Sequence, residues 1–432
     1  MRARFAVSIT IGVVLGAAAI AAPSPVGAAG RTTVRVSVGP HGQADGDSYR
    51  ASISADGRFV AFSSNAANLV GGDTNALSDV FVRDRAAHKT FRVSIGANGQ
   101  ANGSSYDASI SPDGRYVAFA SDADNLVSGD TNSQPDIFVR DRASHTTSRV
   151  SVGTAGQGDG PSYNPSISAG GRFVAFESSA DNLSKGDSNG VFDVFVRDRG
   201  LHRTGRVSVS TGHVQGDSDS LSASISGDGR YVAFGSYAAT LVSGDTNGYE
   251  DVFVRDRTLD TTSRVSTGPL GQSDGESEYP SISSGGRYVT FESTADNLVS
   301  GDTNAVADVF VRDRTAHKTF RSSITTTGDQ GNNHSMLPDI SSDGRFVAFY
   351  SLADNLCGGD TNHARDVLIR DRELHRTLCV SQNTSGVPGN HDSFVPSISS
   401  DGRFVTFESF STDLVSNDTN GYEDVFVRGP YG

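Results

Sequence analysis

Short segments in which apolar and polar residues alternate recur along the chain, separated by turns rich in Gly and Asp. In the first group, residues 51–54 and 58–62 predict two strands joined by a tight turn. Residues 79–84 and 91–94 predict two more strands, and the polar segment 63–78 predicts a long loop between the second and the third. Four short strands joined in this way predict a small antiparallel sheet.

The third predicted strand places apolar side chains on both faces of this sheet. Because side chains alternate along a strand, Val80 and Val82 lie on one face and Phe81 on the other. A lone four-stranded sheet cannot bury two apolar faces, so each sheet is expected to pack between two neighbouring sheets.

This group of four strands is repeated seven times. Asp-Gly-Arg or Gly-Gly-Arg, followed by Phe or Tyr and then Val, recurs with its central Gly at 57, 114, 171, 229, 286, 344 and 402. The interval between successive glycines is nearly constant, and it is one residue longer after the third, fifth and sixth units than after the others. Seven units of this period account for the chain after Gly30 and leave no room for a separate domain.

The two ends of the repeated region complement each other. The seventh unit has a third strand at residues 424–428 but no fourth. Residues 33–38 match residues 148–152, a fourth strand, so the N-terminal segment is expected to complete the seventh sheet. An open stack would instead need atypical capping repeats. We therefore predict an all-β fold, a seven-bladed β-propeller of four-stranded blades with the ring closed by the N-terminal strand.

Two segments of the second unit are similar to a known family. Residues 109–119 read Ser-Ile-Ser-Pro-Asp-Gly-Arg-Tyr-Val-Ala-Phe, and residues 136–141 read Asp-Ile-Phe-Val-Arg-Asp. They resemble the WD-repeat-like unit of the TolB-like β-propeller family, and the resemblance extends over all seven units. It implies a propeller fold. TolB-like proteins usually have six blades and a separate N-terminal domain, which this sequence lacks, so the partners of that family are not expected here.

The segment before the repeats has a different composition. Arg2 and Arg4 precede an apolar run over residues 5–21, and Ala-x-Ala-like endings follow at Ala21 or Ala28. This pattern is typical of a secretory signal peptide. A retained membrane anchor is the less favoured interpretation, because the run is close to the lower limit for spanning a bilayer. We predict a signal peptide at 1–30 and a single propeller domain at 31–432. The mature protein is expected to be secreted or on the cell-envelope exterior, without membrane insertion after signal removal.

Acidic residues outnumber basic ones. Lys and Arg total 36 and Asp and Glu total 50, a formal net charge of −14. Phosphate binding needs a basic surface, so nucleic acid and anionic membranes are not expected partners.

Each long loop contains Gly-Asp-Thr-Asn or a close variant, with a further Asp at the start of the third strand. Oxygen ligands spaced in this way suit calcium, although the match to a calcium-loop signature is partial. The alternative is that Asp and Asn form side-chain-to-backbone turns and the last Asp fixes the strand start. The candidate metal ligands are Asp73, Asn75, Asp79, Asp130, Asn132, Asp136, Asp187, Asn189, Asp193, Asp245, Asn247, Asp251, Asp302, Asn304, Asp308, Asp360, Asn362, Asp366, Asp418, Asn420 and Asp424.

Histidines fall into two groups. One recurs in the turn between the third and fourth strands, at His88, His145, His202, His317 and His375, with Asp260 in the fourth unit. Equivalent turns of different blades are far apart, so packing or solvent exposure is expected there. The other group, His334, His363 and His391, lies in loops of adjacent blades and is a candidate metal cluster, with polar loop residues as the alternative.

Two other features have predicted structural roles. Cys357 and Cys379, the two cysteines of the chain, lie in the sixth unit, and two cysteines in an exported chain predict a disulfide. Such a bond would require the long loop to fold back onto the outer strand. The repeated Arg-Asp-Arg and the Arg of each Gly-Arg turn are interpreted as strand-end ion pairs.

The sequence favours a binding or scaffolding module over an enzyme. It contains no Gly-x-Ser-x-Gly, Walker or His-Glu-x-x-His signature. The loops between blades vary on the long-loop face, so a protein or glycan ligand is expected to bind there. We predict a monomer. Calcium is the one possible cofactor that the sequence suggests. The alternative is an enzyme, a metal-assisted polysaccharide lyase or a hydrolase, whose site at the central channel would need unlike residues from several blades.

Overall fold

The computed structural model describes residues 30–431, which form seven four-stranded antiparallel sheets. Apart from Gly30, the predicted signal peptide lies outside these residues. The blades belong to one compact unit that begins at Arg31, and the one helical segment described is a single 3₁₀ turn at Ala169–Gly171. Among the described residues, no helix has the length and apolar character needed to cross a membrane. The predicted seven-bladed propeller is confirmed.

The strands follow one another with little variation between blades. The chain begins with β1 (Thr32–Arg35), β2 (Val38–Gly39) and β3 (Gly42–Gln43). Blade 1 contains β4 (Ser48–Ile53), β5 (Phe59–Ser64), β6 (Asp79–Asp84) and β7 (Lys89–Arg92), followed by β8 (Ile95–Gly96) and β9 (Gly99–Gln100). Blade 2 contains β10 (Ser105–Ile110), β11 (Tyr116–Ser121), β12 (Asp136–Asp141) and β13 (Thr146–Arg149), followed by β14 (Val152–Gly153) and β15 (Gly156–Gln157). Blade 3 contains β16 (Ser162–Ile167), β17 (Phe173–Ser178), β18 (Asp193–Asp198) and β19 (Arg203–Arg206).

The remaining blades repeat the same order. Blade 4 contains β20 (Ser220–Ile225), β21 (Tyr231–Ser236), β22 (Asp251–Asp256) and β23 (Thr261–Arg264), followed by β24 (Thr267–Gly268) and β25 (Gly271–Gln272). Blade 5 contains β26 (Ser277–Ile282), β27 (Tyr288–Ser293), β28 (Asp308–Asp313) and β29 (Lys318–Arg321). Blade 6 contains β30 (Ser335–Ile340), β31 (Phe346–Ser351), β32 (Asp366–Asp371) and β33 (Arg376–Cys379). Blade 7 contains β34 (Ser393–Ile398), β35 (Val405–Ser409) and β36 (Asp424–Gly429).

Blade 7 takes its fourth strand from the start of the described chain. Strand β1 pairs antiparallel with β36, from Thr32 opposite Gly429 to Arg35 opposite Phe426. The sheet order is β1-β36-β35-β34. The predicted closure of the ring by the N-terminal strand is therefore confirmed.

The fourth strand of blade 1 begins earlier than the predicted residues 91–94. The Asp84 carboxylate accepts hydrogen bonds from the backbone N–H groups of Ala86 and Ala87 at 3.1 and 3.0 Å, which tightens the turn. His88 then adopts a left-handed backbone with φ of 54° and reverses the chain. Strand β7 consequently starts at Lys89.

A separate hydrophobic core fills each of the seven spaces between adjacent blades. Val80 and Val82 pack in the core between blades 1 and 2. Phe81 packs in the core between blades 7 and 1, together with Val425 and Val427. The predicted division of apolar side chains between the two faces is confirmed, and the last core shows that blade 7 packs on blade 1.

The Gly-Arg turns connect neighbouring blades through aromatic rings. Gly114 of blade 2 lies directly against the Phe59 ring of blade 1. The guanidinium groups of Arg58 and Arg142 cover the same ring, with centroid distances of 4.6 and 4.4 Å. Arg58 also forms the predicted ion pair with Asp84 at 2.8 Å. The expectation of ion pairs alone was incomplete, because Arg142 stacks on an aromatic ring and donates to the Gly114 carbonyl.

The two repeat lengths have a structural origin. Between blades 1 and 2 the connection forms the short hairpin β8–β9, in which Ile95 pairs with Gln100. Between blades 3 and 4 the corresponding bridge joins Val209 to Gln215, which encloses one residue more. Bridges of this longer kind also follow blades 5 and 6. These three connections account for the three longer intervals between repeats in the sequence.

Candidate functional site

The Asp/Asn loops form side-chain-to-backbone turns. In blade 1 the Asn75 side-chain oxygen accepts from the Leu77 N–H at 3.2 Å. The Asn75 amide donates to the Asp79 carboxylate at 3.2 Å and to the Ala101 carbonyl at 3.1 Å, in the connection to the next blade. The loop is thereby fixed to both the start of its own third strand and the following blade, as the structural alternative predicted.

An arginine of the fourth strand lies between the two carboxylates of the loop. The Arg92 Nη1 atom is 3.3 Å from Asp73 and 3.2 Å from Asp79. Burial raises the pKa of Asp302 to about 6 although its arginine opposes the rise, so desolvation outweighs the ion pair there. Calcium at these loops stays a prediction, and in six blades it would share its carboxylates with a guanidinium group. The six arginines are Arg35, Arg92, Arg149, Arg206, Arg264 and Arg321.

Blade 6 replaces this arginine with Cys379, which forms a disulfide with Cys357. The Cα atoms of the two cysteines are 5.1 Å apart. The long loop does fold back onto the outer strand, as the predicted disulfide required. Burial raises the pKa of Asp366, the carboxylate at the start of the third strand, to about 7.

The histidines do not form a metal site with one another. Within residues 30–431, the one set of at least three His, Cys, Asp or Glu ligand atoms close enough to hold a metal is Cys357, Asp366 and Cys379. His334 accepts from the Ala307 N–H at 3.0 Å, whereas His363 is an exposed loop residue 3.4 Å from Asp354. The predicted cluster of His334, His363 and His391 is therefore not formed in the described residues. The turn histidines adopt left-handed φ angles, a conformation that explains their recurrence.

The first strand of every blade contains a bulge that faces the central channel. In blade 1 the pairing between β4 and β5 shifts between Tyr49 and Ser52. Arg50, inside the shift, has a φ of 54°. Bulges turn a side chain away from its ladder position and are frequent at binding sites. The seven equivalent residues, with φ between 45° and 54°, are Arg50, Asp107, Asn164, Ser222, Tyr279, Leu337 and Val395.

These seven positions, which we call the channel ring, hold seven different residues of six chemical kinds. They comprise a cation, an acid, an amide, a hydroxyl, a phenol and two aliphatic side chains. By contrast, the residue two positions earlier is Ser in all seven blades, and the residue three positions later is Ile. A nearly identical frame therefore holds seven unlike side chains around one axis.

The channel ring surrounds a cavity of about 550 Å³, within the usual size range of small-ligand sites. It lies near the start of the first strands, the side of the propeller that also carries the long loops. Toward the other side the channel narrows to a cavity of about 160 Å³, lined by Ser and by the Ile residues that end the first strands. A ligand has room on the long-loop side.

The cavity is predominantly acidic. Asp107, Glu177 and Asp339 line it together with one cation, Arg50. Arg50 lies 3.8 Å from Asp107, and its side chain remains 58% exposed. Burial raises the pKa of all three carboxyl groups above their usual range. The channel therefore favours uncharged or cationic groups over polyanions.

Glutamates from the second strands of alternate blades hold the ring in place. Glu177 accepts from the Asn164 amide at 2.7 Å and from the Ser222 N–H of the next blade at 2.8 Å. Glu292 accepts from the Leu337 N–H at 2.6 Å, and Glu408 accepts from the Arg50 N–H. In blades 3, 5 and 7 a carboxyl group thus fixes the bulge of the following blade.

Exposed aromatic rings accompany the channel on the long-loop side. Tyr279 of the channel ring is 46% exposed. Tyr237 and Phe410 follow second strands, and Tyr249 and Tyr422 precede third strands, all in the long loops and all exposed. Aromatic rings with nearby carboxylates and amides offer an apolar surface next to hydrogen-bonding groups.

Comparisons with known proteins identify the fold. No family model and no curated protein matches the chain. Similar solved structures include the oligogalacturonate lyase in complex with manganese, at 11% identity over 93% of this chain and 91% of that chain, with a TM-score of 0.53. The β-propeller domain of the Trilobed protease from Pyrococcus furiosus has 10% identity over 89% and 93%, with a TM-score of 0.53. This chain is a β-propeller similar to both in fold.

Proteins of the family suggested by the sequence are also among the similar structures. A putative TolB from Agrobacterium tumefaciens has 14% identity over 80% of this chain and 96% of that chain, with a TM-score of 0.44. At these identities the likeness concerns the fold and not the activity.

A buried glutamate near the channel makes the stability depend on pH. Burial and the neighbouring Glu278 raise the pKa of Glu250 from 4.5 to about 8. Between these two pH values the folded state holds a proton that the unfolded chain releases, so stability decreases as the pH rises. We expect Glu250→Gln to stabilise the protein at pH 8 by roughly 2 kcal/mol and to have little effect at pH 4.

Urea denaturation at both pH values checks this expectation. Glu373→Gln serves as the control, because the Glu373 side chain is 70% exposed. Equal effects of Glu250→Gln at pH 4 and pH 8 would contradict the assignment.

The channel ring was missed by the sequence reasoning, although a signal for it exists. Aligning the seven repeats shows one fully variable position between an invariant Ser and an invariant Ile. A variable position in a strand is ordinarily read as exposed. The bulge, which turns this residue into the channel, has no sequence signature of its own because seven different residues adopt it.

Proposed function

We propose that this chain is a non-catalytic binding module that recognises an uncharged or amine-bearing oligosaccharide at the long-loop mouth of its central channel. The observation that supports this most directly is the channel ring, in which seven equivalent positions hold seven unlike residues. A scaffold role alone does not require different residues at equivalent positions of the seven blades. Selective recognition of an asymmetric ligand does require them, because each blade then contacts a different part of the ligand.

The chemistry of the channel favours a hydroxyl-rich ligand. Sugar hydroxyl groups both donate and accept, so they suit Asp107 and Asn164 as well as Ser222. Tyr279 offers a ring face to the C–H surface of a sugar. The excess of carboxyl groups over the single Arg50 disfavours uronic acid polymers.

The proposed function also includes a location outside the cell and a monomeric state. The pattern of residues 1–30 supports export to the cell exterior or to the outside of the cell envelope. We propose that the exported protein acts as a monomer, with calcium as an additional stabiliser of the long loops.

A propeller enzyme is the second candidate. Its support is the fold likeness to an oligogalacturonate lyase and Glu292, whose pKa burial raises to about 7, a value suited to acid–base chemistry. In this proposal a metal-assisted lyase or a hydrolase would act at the same channel. The acidic lining fits a polyuronate poorly, which is why binding is placed first.

Binding to immobilised neutral, amine-bearing and uronic acid oligosaccharides tests the proposal. We expect binding to the first or second class, weakened at least about tenfold by Tyr279→Ala. Leu259→Ala is the matched control, since Leu259 is exposed in a turn between third and fourth strands on the opposite side. The proposal is rejected if Tyr279→Ala and the unmodified protein have equal affinity for every bound sugar. It is also rejected if the unmodified protein binds none of the oligosaccharides. Shortening of any oligosaccharide during incubation would favour the enzyme.

A further inference from the structure

Blade 6 departs from the other blades at two positions that meet in space. Position 357 is Cys where the other blades have Val or Ser, and position 379 is Cys where they have Arg. The two form a disulfide. One blade has thus exchanged a positively charged side chain for a pair of sulfur atoms.

The acidic residues that the arginine accompanies elsewhere are retained in blade 6. In blade 5, Arg321 Nη1 is 2.8 Å from Asp302 and 3.0 Å from Asp308, and therefore occupies the position of a cation between two carboxylates. Asp360 and Asp366 are the equivalents in blade 6. In β33 the position of that arginine is taken by Cys379.

Asp366 is left with an unsatisfied oxygen. Its residue is 2% exposed, and its Oδ1 atom accepts from the Ser381 hydroxyl at 2.5 Å. The buried Oδ2 atom has no hydrogen-bond partner. A buried carboxylate oxygen without a partner is costly and points to a missing ligand. A carboxylate oxygen of Asp366 and the two sulfur atoms all lie within 4.8 Å of one another.

We propose that blade 6 is a redox-gated zinc site, in which reduction of the Cys357–Cys379 disulfide creates two thiolate ligands that bind Zn²⁺ together with Asp366. Two sulfurs and a carboxylate oxygen are a ligand set that zinc accepts in tetrahedral coordination. The fourth position of the tetrahedron is open to a solvent water. The two thiolates balance the charge of the zinc ion, so the metal supplies the Asp366 carboxylate with a coordination partner where arginine supplies one in the other six blades.

The redox step is balanced by an external dithiol. The dithiol transfers two electrons and two protons to the disulfide, the S–S bond breaks, and the dithiol becomes a cyclic disulfide. Zinc then displaces the two thiol protons, which pass to solvent, and forms two Zn–S bonds. Reoxidation by a disulfide reverses the sequence and releases the metal. The site is thus closed under oxidising conditions and available under reducing ones.

A structural cross-link by itself would also explain two cysteines. It would not explain why the unsatisfied carboxylate remains beside them. The two accounts differ in whether the reduced protein binds a metal that prefers thiolate ligands. Calcium has little affinity for thiolates, so a preference for zinc over calcium distinguishes this site from the carboxylate loops of the other blades.

The test uses the full chain, reduced by a dithiol and then freed of the reductant under anaerobic conditions. We expect the reduced protein to bind one Zn²⁺ per chain with a dissociation constant of about 1 µM or less, and the oxidised protein to bind none at this site. Cobalt in place of zinc is expected to give a thiolate charge-transfer absorption band. Asp366→Asn should weaken zinc binding about 10- to 100-fold.

The control is the double variant Cys357→Val and Cys379→Arg, which restores the residues of the other blades and is expected to fold. It should bind no zinc in either state. If reduction unfolds the native chain, one equivalent of zinc should restore its circular dichroism spectrum. A reduced chain that takes up no stoichiometric zinc and shows no cobalt–thiolate band, folded or not, overturns the proposal, as does equal zinc binding by the double variant.

Discussion

Replacing Asp308 with alanine is expected to lower the free energy of unfolding by about 3–5 kcal/mol. Asp308 is fully buried at the start of the third strand of blade 5. It accepts from the Asn304 amide and from Arg321, both at 3.0 Å, and from the Ser323 hydroxyl. Its removal leaves a buried guanidinium group with one carboxylate fewer and a buried hydroxyl without its acceptor, and this loss of partners is the source of the cost.

Asp296→Ala is the matched control, because Asp296 is an exposed residue of the same long loop. Its effect is expected to stay within about 0.5 kcal/mol. Equilibrium denaturation in guanidinium chloride, followed by circular dichroism, measures both variants. A change below about 1 kcal/mol for Asp308→Ala would show that the hydrogen-bond network contributes little to the stability of the blade.

Gly286→Ala is expected to destabilise the protein by about 2–5 kcal/mol, from two separable causes. Gly286 has a φ of 71°, which costs an L-residue roughly 1–2 kcal/mol. A methyl group there would also overlap the ring of Tyr231 in the preceding blade. That overlap forces two packed blades apart and adds about 1–3 kcal/mol.

Gly301→Ala separates the two causes. Gly301 has nearly the same backbone, with a φ of 77°, but a methyl group there meets open space. The difference between the two variants in the same denaturation experiment therefore measures the contact between blades. Equal effects would mean that backbone strain alone accounts for the invariant glycine.

The fold was predictable from the sequence because the same pattern of strands and turns occurs in seven successive repeats. The residues 79–84 of the third strand were placed correctly, and the opposite directions of Phe81 and Val80 followed from alternation alone. Pairing of the N-terminal segment with the last blade was predictable because residues 33–38 match another fourth strand. Each of these inferences depends on a pattern of residues within one segment, and the tertiary contacts leave the strand that this pattern predicts unchanged.

The candidate site was less predictable, for physical reasons. The Asp/Asn loops showed oxygen ligands in the sequence, but Arg92 comes within reach of Asp73 and Asp79 only after the fourth strand has paired with the third. The channel ring depends on a backbone bulge, and Arg50 adopts the same conformation as Val395 despite its different side chain. Backbone geometry shared by unlike residues leaves no compositional trace.

The closure of the ring constrains the order in which the chain can assemble during synthesis. Thr32 is among the first residues of the propeller to be made, and its partner Gly429 is among the last. Blades 1 to 6 can each pair their own strands and pack on their neighbours as they emerge. Strand β1 has to remain without its native partner until β36 has been made, and loop closure across almost the whole propeller is the slowest kind of contact to form. For this interval the nascent chain presents an unpaired strand at one end and an incomplete blade at the other, and both edges can pair with other chains until they meet.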